Sequence, residues 1–342
     1  MGVRPPLPAL DLDHILEHTE GLWNEIRGER LFVTGGTGFF GGWMLESLLH
    51  ADRKLGLGTK ATVLTRDSNR YRAAVPHVAE HPTITLWAGN VRDFELPEGA
   101  FSHVLHLATE TDLAADLGTS FTTAVLGTRR VLELAAQSGT QRLLLASSGA
   151  VYGTQPPELE RLDEDYPGAP NPLDPASGYG QGKRAAEFLC AAAASSSLEV
   201  KIARCFAFVG PLLPLDANFA VGNFIRDALA GRPIRVHGDG TALRSYLYAA
   251  DLAIWLWTIL LRGVSGRAYN VGSDAALSIA DLAQLVGDAI LTGGPVVIAE
   301  TPNPRRPLAR YVPSVQRATA ELGLHPYIEL REAIRRTAEW HS

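Results

Sequence analysis

The chain has 342 residues, 46% of them hydrophobic, enough for a sizeable core and long enough for two lobes. A net charge of −6 offers no polybasic footprint for nucleic acid, no apolar run reaches the length of a membrane span, and the proline-broken start MGVRPPLPAL has no apolar signal core. The two cysteines, Cys190 and Cys205, have no metal-type spacing and read as buried small hydrophobes in a reduced, cytoplasmic chain without a metal site.

Residues 1–29 form an N-terminal extension. Leu12, Ile15, Leu16, Leu22, Trp23 and Ile26 fall near helical spacing, which predicts an amphipathic helix over 11–27 packed outside a sheet. A short apolar strand, 31–33, then runs into the glycines of TGGTGFFGGW (34–43), and a helix-like run, 43–49, follows. Strand, glycine turn and helix start, in that order, make a dinucleotide-binding arrangement. Glycine permits positive φ and close approach of a pyrophosphate, while the helix N-terminus presents free N–H groups. Gly35, Thr37, Gly38, Phe39, Phe40 and Gly41 are the cofactor-binding candidates here.

Further strands are predicted at 61–65, 83–88, 103–108 and 142–147, with helices at 122–137 and 185–194 between strands. This alternation predicts an α/β fold, a Rossmann-type doubly wound parallel sheet that binds ligands at the carboxyl ends of its strands. Beyond it, short strands at 234–238 and 267–271 mix with helices at 218–229, 252–261 and 279–290. The expected organisation is a dinucleotide-binding domain over 30–206, with returning segments near 240–272, and a mainly substrate-binding lobe over 207–342. That smaller lobe is discontinuous, with pieces near 171–199, 207–250 and 272–330. His103 and His106 lie on opposite faces of a strand and are expected to be structural, with His106 bordering the cofactor. Trp255 and Trp257 are expected in a buried helix.

Three residues carry the chemistry. Ser148 ends the strand LLLASS, and Tyr179 and Lys183 stand in YGQGK, which opens the next helix. Tyrosine and lysine four apart share a helical face. A phenol ordinarily ionises near pH 10, about three units above neutrality. A neighbouring ammonium and a positive nicotinamide ring favour the phenolate, which can take a hydroxyl proton or return one to a carbonyl oxygen as hydride moves. A serine hydroxyl beside it can hold the same oxygen.

The motifs together resemble the extended short-chain dehydrogenase/reductase family, in its NAD-dependent epimerase/dehydratase branch. TGGTGFFG matches the branch's TGxxGxxG, and HLA (106–108), SSGAVYG, YGQGK, ARCFAFVGP, RSYLYAADLA and YNVGS follow in family order. The resemblance implies action on nucleotide-linked sugars, with Ser148, Tyr179 and Lys183 as the catalytic triad. It implies that Tyr179, Lys183, Leu107 and Ala108 border the nicotinamide ribose and that Asn90 and Val91 border adenine. Arg244 would meet the diphosphate, Ser148 and Gly149 the sugar, and Asn223 and Phe224 the nucleobase. It also implies a homodimer built on paired helices.

Several positions depart from that pattern. The family's 4,6-dehydratases place Asp-Glu after the serine or threonine position, where this chain has Gly149 and Ala150; decarboxylases carry a glutamate near the same place. Neither glycine nor alanine can move a proton, which argues against both reactions. Two family asparagines are replaced by Ala124 and Ala207. The second strand ends in Thr65 and Arg66 rather than the acid that receives an NAD ribose, and an arginine suits a 2′-phosphate. VLTRD and LHLATE also resemble segments of abequose-synthase-like 4-ketoreductases that use NADPH. The expectation is therefore a nucleotide-sugar 4-ketoreductase using NADP(H), with NAD(H) the other cofactor. The alternatives are a 4-epimerase with bound NAD and a catalytically silent cofactor-binding protein.

Overall fold

A computed structural model describes residues 2–109, 117–290, 295–303, 305 and 307–342. The chain divides into two compact units. One comprises Met1–Val151, Pro170–Arg204 and Ala253–Tyr269; the other comprises Tyr152–Ala169, Cys205–Leu252 and Asn270–Ser342. Against the expected span 30–206 with a return near 240–272, the stretch 152–169 leaves the first unit and the return is 253–269. Residues 170–204 stay in the first unit, as that span expects and the lobe piece near 171–199 does not, because the helix Gly178–Ala193 lies along the helix Leu117–Ser138 and the strand Arg142–Ser148.

The first unit opens with α1 (Ala9–His18), then β1 (Arg30–Thr34), α2 (Phe39–Leu55), β2 (Lys60–Thr65), α3 (Ser68–Ala74), α4 (Pro76–Ala79) and β3 (Ile84–Ala88). It continues with β4 (His103–His106), α5 (Leu117–Ser138), β5 (Arg142–Ser148), α6 (Gly178–Ala193) and β6 (Glu199–Cys205). The later chain supplies β7 (Phe208–Val209), α7 (Ala220–Leu229), β8 (Ile234–Val236), β9 (Leu243–Arg244), β10 (Leu247–Tyr248), α8 (Ala249–Arg262) and β11 (Arg267–Val271). β12 (Leu277–Ser278), α9 (Ile279–Ala289), β13 (Val296–Ile298), β14 (Arg310–Tyr311), α10 (Gln316–Leu322) and α11 (Leu330–His341) complete it.

The main sheet runs β11-β6-β5-β4-β1-β2-β3, and β3, β2, β1, β4 and β5 pair in parallel. These strands are apolar on both faces, as a sheet covered by helices on both sides requires. Phe32 on β1 anchors one face, with the rings of Phe94 and Phe101 centred 5.5 and 5.4 Å from it. Val131 and Leu134 of α5, Leu143 and Leu145 of β5 and Cys190 of α6 close the same cluster.

The extension is helical only over α1. Gly21 has φ +83°, a conformation that ends a helix and favours glycine, and a 3-10 turn, Trp23–Ile26, follows. Thr19 links the two pieces: its hydroxyl donates to the Ile15 carbonyl (2.6 Å) and accepts from the Trp23 indole (2.8 Å). Trp23 packs 5.0 Å from the buried Trp257 of helix α8.

In the second unit α7 buries Val221, Phe224, Ile225 and Ala228 along one stripe, the helical period of an amphipathic element. Strand β9 lies between β12 and β14, and β13 pairs with β8. Among the described residues no helix is long and apolar enough to cross a membrane, and no group of His, Cys, Asp and Glu could hold a metal ion.

Candidate active site

The strand order reverses between β1 and β4, so the crossovers on either side leave a crevice at the carboxyl ends of those two strands. The glycine turn sits there. Gly35 has φ +71°, and a Cβ on it would stand 2.6 Å from the Ala108 nitrogen, so the loops after β1 and β4 meet backbone to backbone. A Cβ on Gly41 would overlap the Gly35 oxygen and the Gly36 Cα, so only glycine lets the first turn of α2 sit on the loop. The Gly38 N–H donates to the Gly35 carbonyl (3.1 Å), and Gly38 is the N-cap of α2. The first-turn N–H groups at Phe39, Phe40 and Gly41 thus open α2 at the crevice, with Thr37 half-buried beside them.

Thr34 and His106 end β1 and β4 in register. The Thr34 hydroxyl accepts from the Ala108 N–H (3.2 Å) and shares a hydrogen bond with His106 Nδ1 (2.8 Å). The other ring nitrogen, Nε2, shares one with the Thr128 hydroxyl (3.1 Å). Burial, reinforced by the Lys183 ammonium, pushes the imidazole down to about 3, so it stays neutral. His106 is therefore a structural cross-link that aims Leu107 and Ala108 at the glycine turn. His103, pushed down to about 4 mainly by burial, is also neutral. Glu110, within the LHLATE segment, lies outside the described residues.

At the end of β2, Thr65 is buried and Arg66 is exposed. Asp67 caps α3, its carboxylate accepting the Arg70 N–H (2.9 Å). Asn90, past β3, turns its side-chain oxygen to the Arg92 N–H (3.1 Å), and Val91 packs against Gly127 of α5.

Helix α6 carries Tyr179 and Lys183. Two glycines bring it in close: a Cβ on Gly180 would lie 2.6 Å from the Ala150 oxygen, and one on Gly182 would lie 2.9 Å from the Phe121 Cα. Lys183, 3% exposed, donates its ammonium to the Ala146 carbonyl of β5 (2.7 Å) and stands 5.9 Å from the centre of the Tyr179 ring. Ser148 ends β5; its hydroxyl accepts from the Ala150 N–H (3.1 Å), which leaves its own proton to donate. Gly149 opens the 3-10 turn Gly149–Tyr152. Ser148, Tyr179, Lys183 and the glycine turn all belong to the first unit.

Asn223, Phe224 and Arg244 belong to the second. Asn223 accepts from the Arg226 guanidinium (3.1 Å), and Arg244 donates to its neighbour's Leu243 carbonyl (2.8 Å). Phe224 is only 4% exposed, inside the apolar stripe of α7, so its ring offers little surface to a base.

The sequence reading passed over one cluster. Glu187, a further turn along α6, accepts from the Ser147 hydroxyl (2.5 Å) and from Arg204 at two points (3.0 and 2.8 Å). Its four-residue spacing from Lys183 was the available signal, because Tyr179, Lys183 and Glu187 form one stripe.

Similarity to known proteins agrees with this architecture. The UDP-glucuronic acid decarboxylase 1 of Xenopus tropicalis is 29% identical over 315 residues, 91% of this chain and 72% of that protein. The corresponding Arabidopsis thaliana enzyme is 30% identical over 90% of this chain and 68% of its own length. The dTDP-glucose 4,6-dehydratase of Streptomyces antibioticus is 28% identical over 91% and 92% of the two chains. Among solved structures, a dTDP-glucose 4,6-dehydratase from Streptomyces venezuelae with NAD bound superposes with TM-score 0.75 at 24% identity, covering 91% and 96% of the chains. The UDP-glucose 4-epimerase of Thermotoga maritima gives 0.74 at 20%, covering 91% and 98%. Residues 31–272 match the NAD dependent epimerase/dehydratase family, and the chain belongs to it.

Proposed function

We propose that the chain is a nicotinamide-dependent oxidoreductase acting at C4 of a nucleoside-diphosphate-linked sugar, and that its net reaction is reduction of a 4-keto sugar. The observation that carries this is Lys183, buried and tethered to Ala146 at the end of β5 with its ammonium near the Tyr179 ring. A dinucleotide held at the glycine turn would supply hydride exchange at C4, and Tyr179 moves a proton at the C4 oxygen. Ser148 donates its free proton to that oxygen, and the Lys183 ammonium stands beside the Tyr179 ring. Gly35, Thr37, Gly38 and the first turn of α2 would hold the pyrophosphate, and Arg244 the sugar nucleotide's diphosphate.

Decarboxylation and 4,6-dehydration, the named activities of sequence relatives, are not proposed, because Gly149 and Ala150 supply no acid or base after Ser148. The cofactor proposed is NAD(H). Arg66 alone suggests NADP(H), but several structural neighbours hold NAD. That observation also favours a second reading, 4-epimerisation, for which a bound NAD would supply reversible hydride exchange at C4 with no net consumption. A homodimer through α5 and α6 is part of the proposal, supported by Phe121, Leu126 and Phe188 standing exposed on those helices.

Cofactor stoichiometry separates the two readings. A reductase consumes one reduced dinucleotide per product, and an epimerase consumes none. In either case Tyr179→Phe should keep dinucleotide affinity and lose turnover by about a hundredfold or more. Near-normal turnover in that variant would rule out the mechanism.

A further inference from the structure

Lys183 and Glu187 stand on successive turns of α6, and each grips a successive residue of β5. Lys183 binds the Ala146 carbonyl, and Glu187 accepts the Ser147 hydroxyl at 2.5 Å, a charge-assisted bond at the short end of its range. The next residue along the strand is Ser148. Glu187 does not hold this position on its own. The Arg204 guanidinium on β6 binds both of its carboxylate oxygens, at 3.0 and 2.8 Å, so the carboxylate plane is fixed from the far side. The three elements α6, β5 and β6 are tied together one residue behind Ser148.

Stability alone is a poor account of this cluster. Glu187 and Arg204 are 12% and 17% exposed, and an ion pair so far out of water gives back much of its Coulomb gain as desolvation. An apolar pair of similar volume would brace α6 against β6 at least as well. What an apolar pair cannot do is hold a hydroxyl on β5 in one rotamer. The cluster also bears on no separate reaction, since the adjacent Cys190 thiol is pushed up to about 12, chiefly by burial, and stays protonated.

We infer that Glu187, braced by Arg204, is a positioning residue: through the Ser147 hydroxyl it sets where the end of β5 presents Ser148 to the oxygen that Tyr179 protonates. The inference rests on the proposed C4 chemistry. A displacement of about 1 Å in such a constellation can cost on the order of a hundredfold in rate.

The test uses the full-length protein as Ser147→Ala, Glu187→Gln, the double variant and Tyr179→Phe. UDP-glucose and dTDP-glucose serve as hydride donors to added NAD in single turnovers, and dinucleotide Kd and Tm are measured alongside. Each single variant should slow hydride transfer about ten- to a hundredfold with dinucleotide Kd unchanged, and the double variant should be no slower than the worse single. Wild-type rates in Ser147→Ala, or losses that multiply in the double variant and follow Tm, would overturn the inference. Turnover retained by Tyr179→Phe would instead overturn the acid–base reading. If neither sugar nucleotide donates hydride to the wild type, the crystal structure of Ser147→Ala decides: a displaced Ser148 supports the positioning role, and an unmoved one ends it.

Discussion

At the end of β2 two neighbouring side chains behave oppositely. Thr65 is buried and its hydroxyl accepts from the Asp67 N–H (3.3 Å), whereas Arg66 is exposed and has no side-chain partner among the described residues. An exposed, unpaired guanidinium at this point can meet a 2′-phosphate without losing an existing bond, but it does not by itself repel an unphosphorylated ribose. On the proposed choice of NAD(H), and against the contribution of Arg66, the wild type should bind NADH more tightly than NADPH. Arg66→Ala should weaken NADPH by about tenfold and leave NADH unchanged, as loss of a charged hydrogen bond implies. Fluorescence titration of both dinucleotides measures this; tighter NADPH binding by the wild type would refute the choice of NAD(H). Ser148, Tyr179 and Lys183 were legible as residues because a helical stripe and a strand end are local patterns. Glu187 was not, because its meaning lies in Ser147 and Arg204, which folding alone brings to it. His106 was read as structural. Its two ring partners, Thr34 and Thr128, lie one on a neighbouring strand and one on a covering helix, and no sequence spacing encodes that.

Among the elements, the glycine turn was the most legible, since strand, glycines and helix start stand within a few residues of one another in the sequence. Its positions nonetheless do different things. A methyl on Gly38 would meet nothing nearer than the Gly35 oxygen at 3.4 Å, while one on Gly41 would overlap the turn's own backbone. Gly38→Ala is thus expected to retain the wild-type Tm and lose dinucleotide affinity, the methyl standing where the pyrophosphate approaches. Gly41→Ala should lose both, with a stability cost of about 1–3 kcal/mol from overpacking. Thermal melts paired with dinucleotide titrations separate the two; a stable, tight-binding Gly41→Ala protein would contradict this geometry. Helix α6 shows what was harder to read. Its helical signal begins clearly only after Lys183, because Gly178, Gly180 and Gly182 look like punctuation. Gly180 and Gly182 serve close approach to Ala150 and α5, a tertiary fact.

For the molecule as a whole, the N-terminal extension is part of the core. Ile15 and Ile26 are fully buried, the Leu7 N–H donates to the buried Glu46 carboxylate (2.7 Å), and Glu25 binds both Arg142 and Arg262. Ile15→Ala should cost about 2–5 kcal/mol in denaturant unfolding while leaving dinucleotide affinity intact. A loss below about 1 kcal/mol would mean the extension is only loosely applied. The expected helix over 11–27 was half right, since periodicity registers the buried stripe but not the interruption at Gly21. The interleaving of the two units has its own outcome for how the protein is made. The backbone passes from one to the other at 151/152, 169/170, 204/205, 252/253 and 269/270, so each is stitched from three separated stretches. No single stop codon or proteolytic cut can release either unit intact, and during synthesis neither is complete until the ribosome is well past residue 252. Such a protein cannot complete its first unit before two of the second unit's three stretches have also been made.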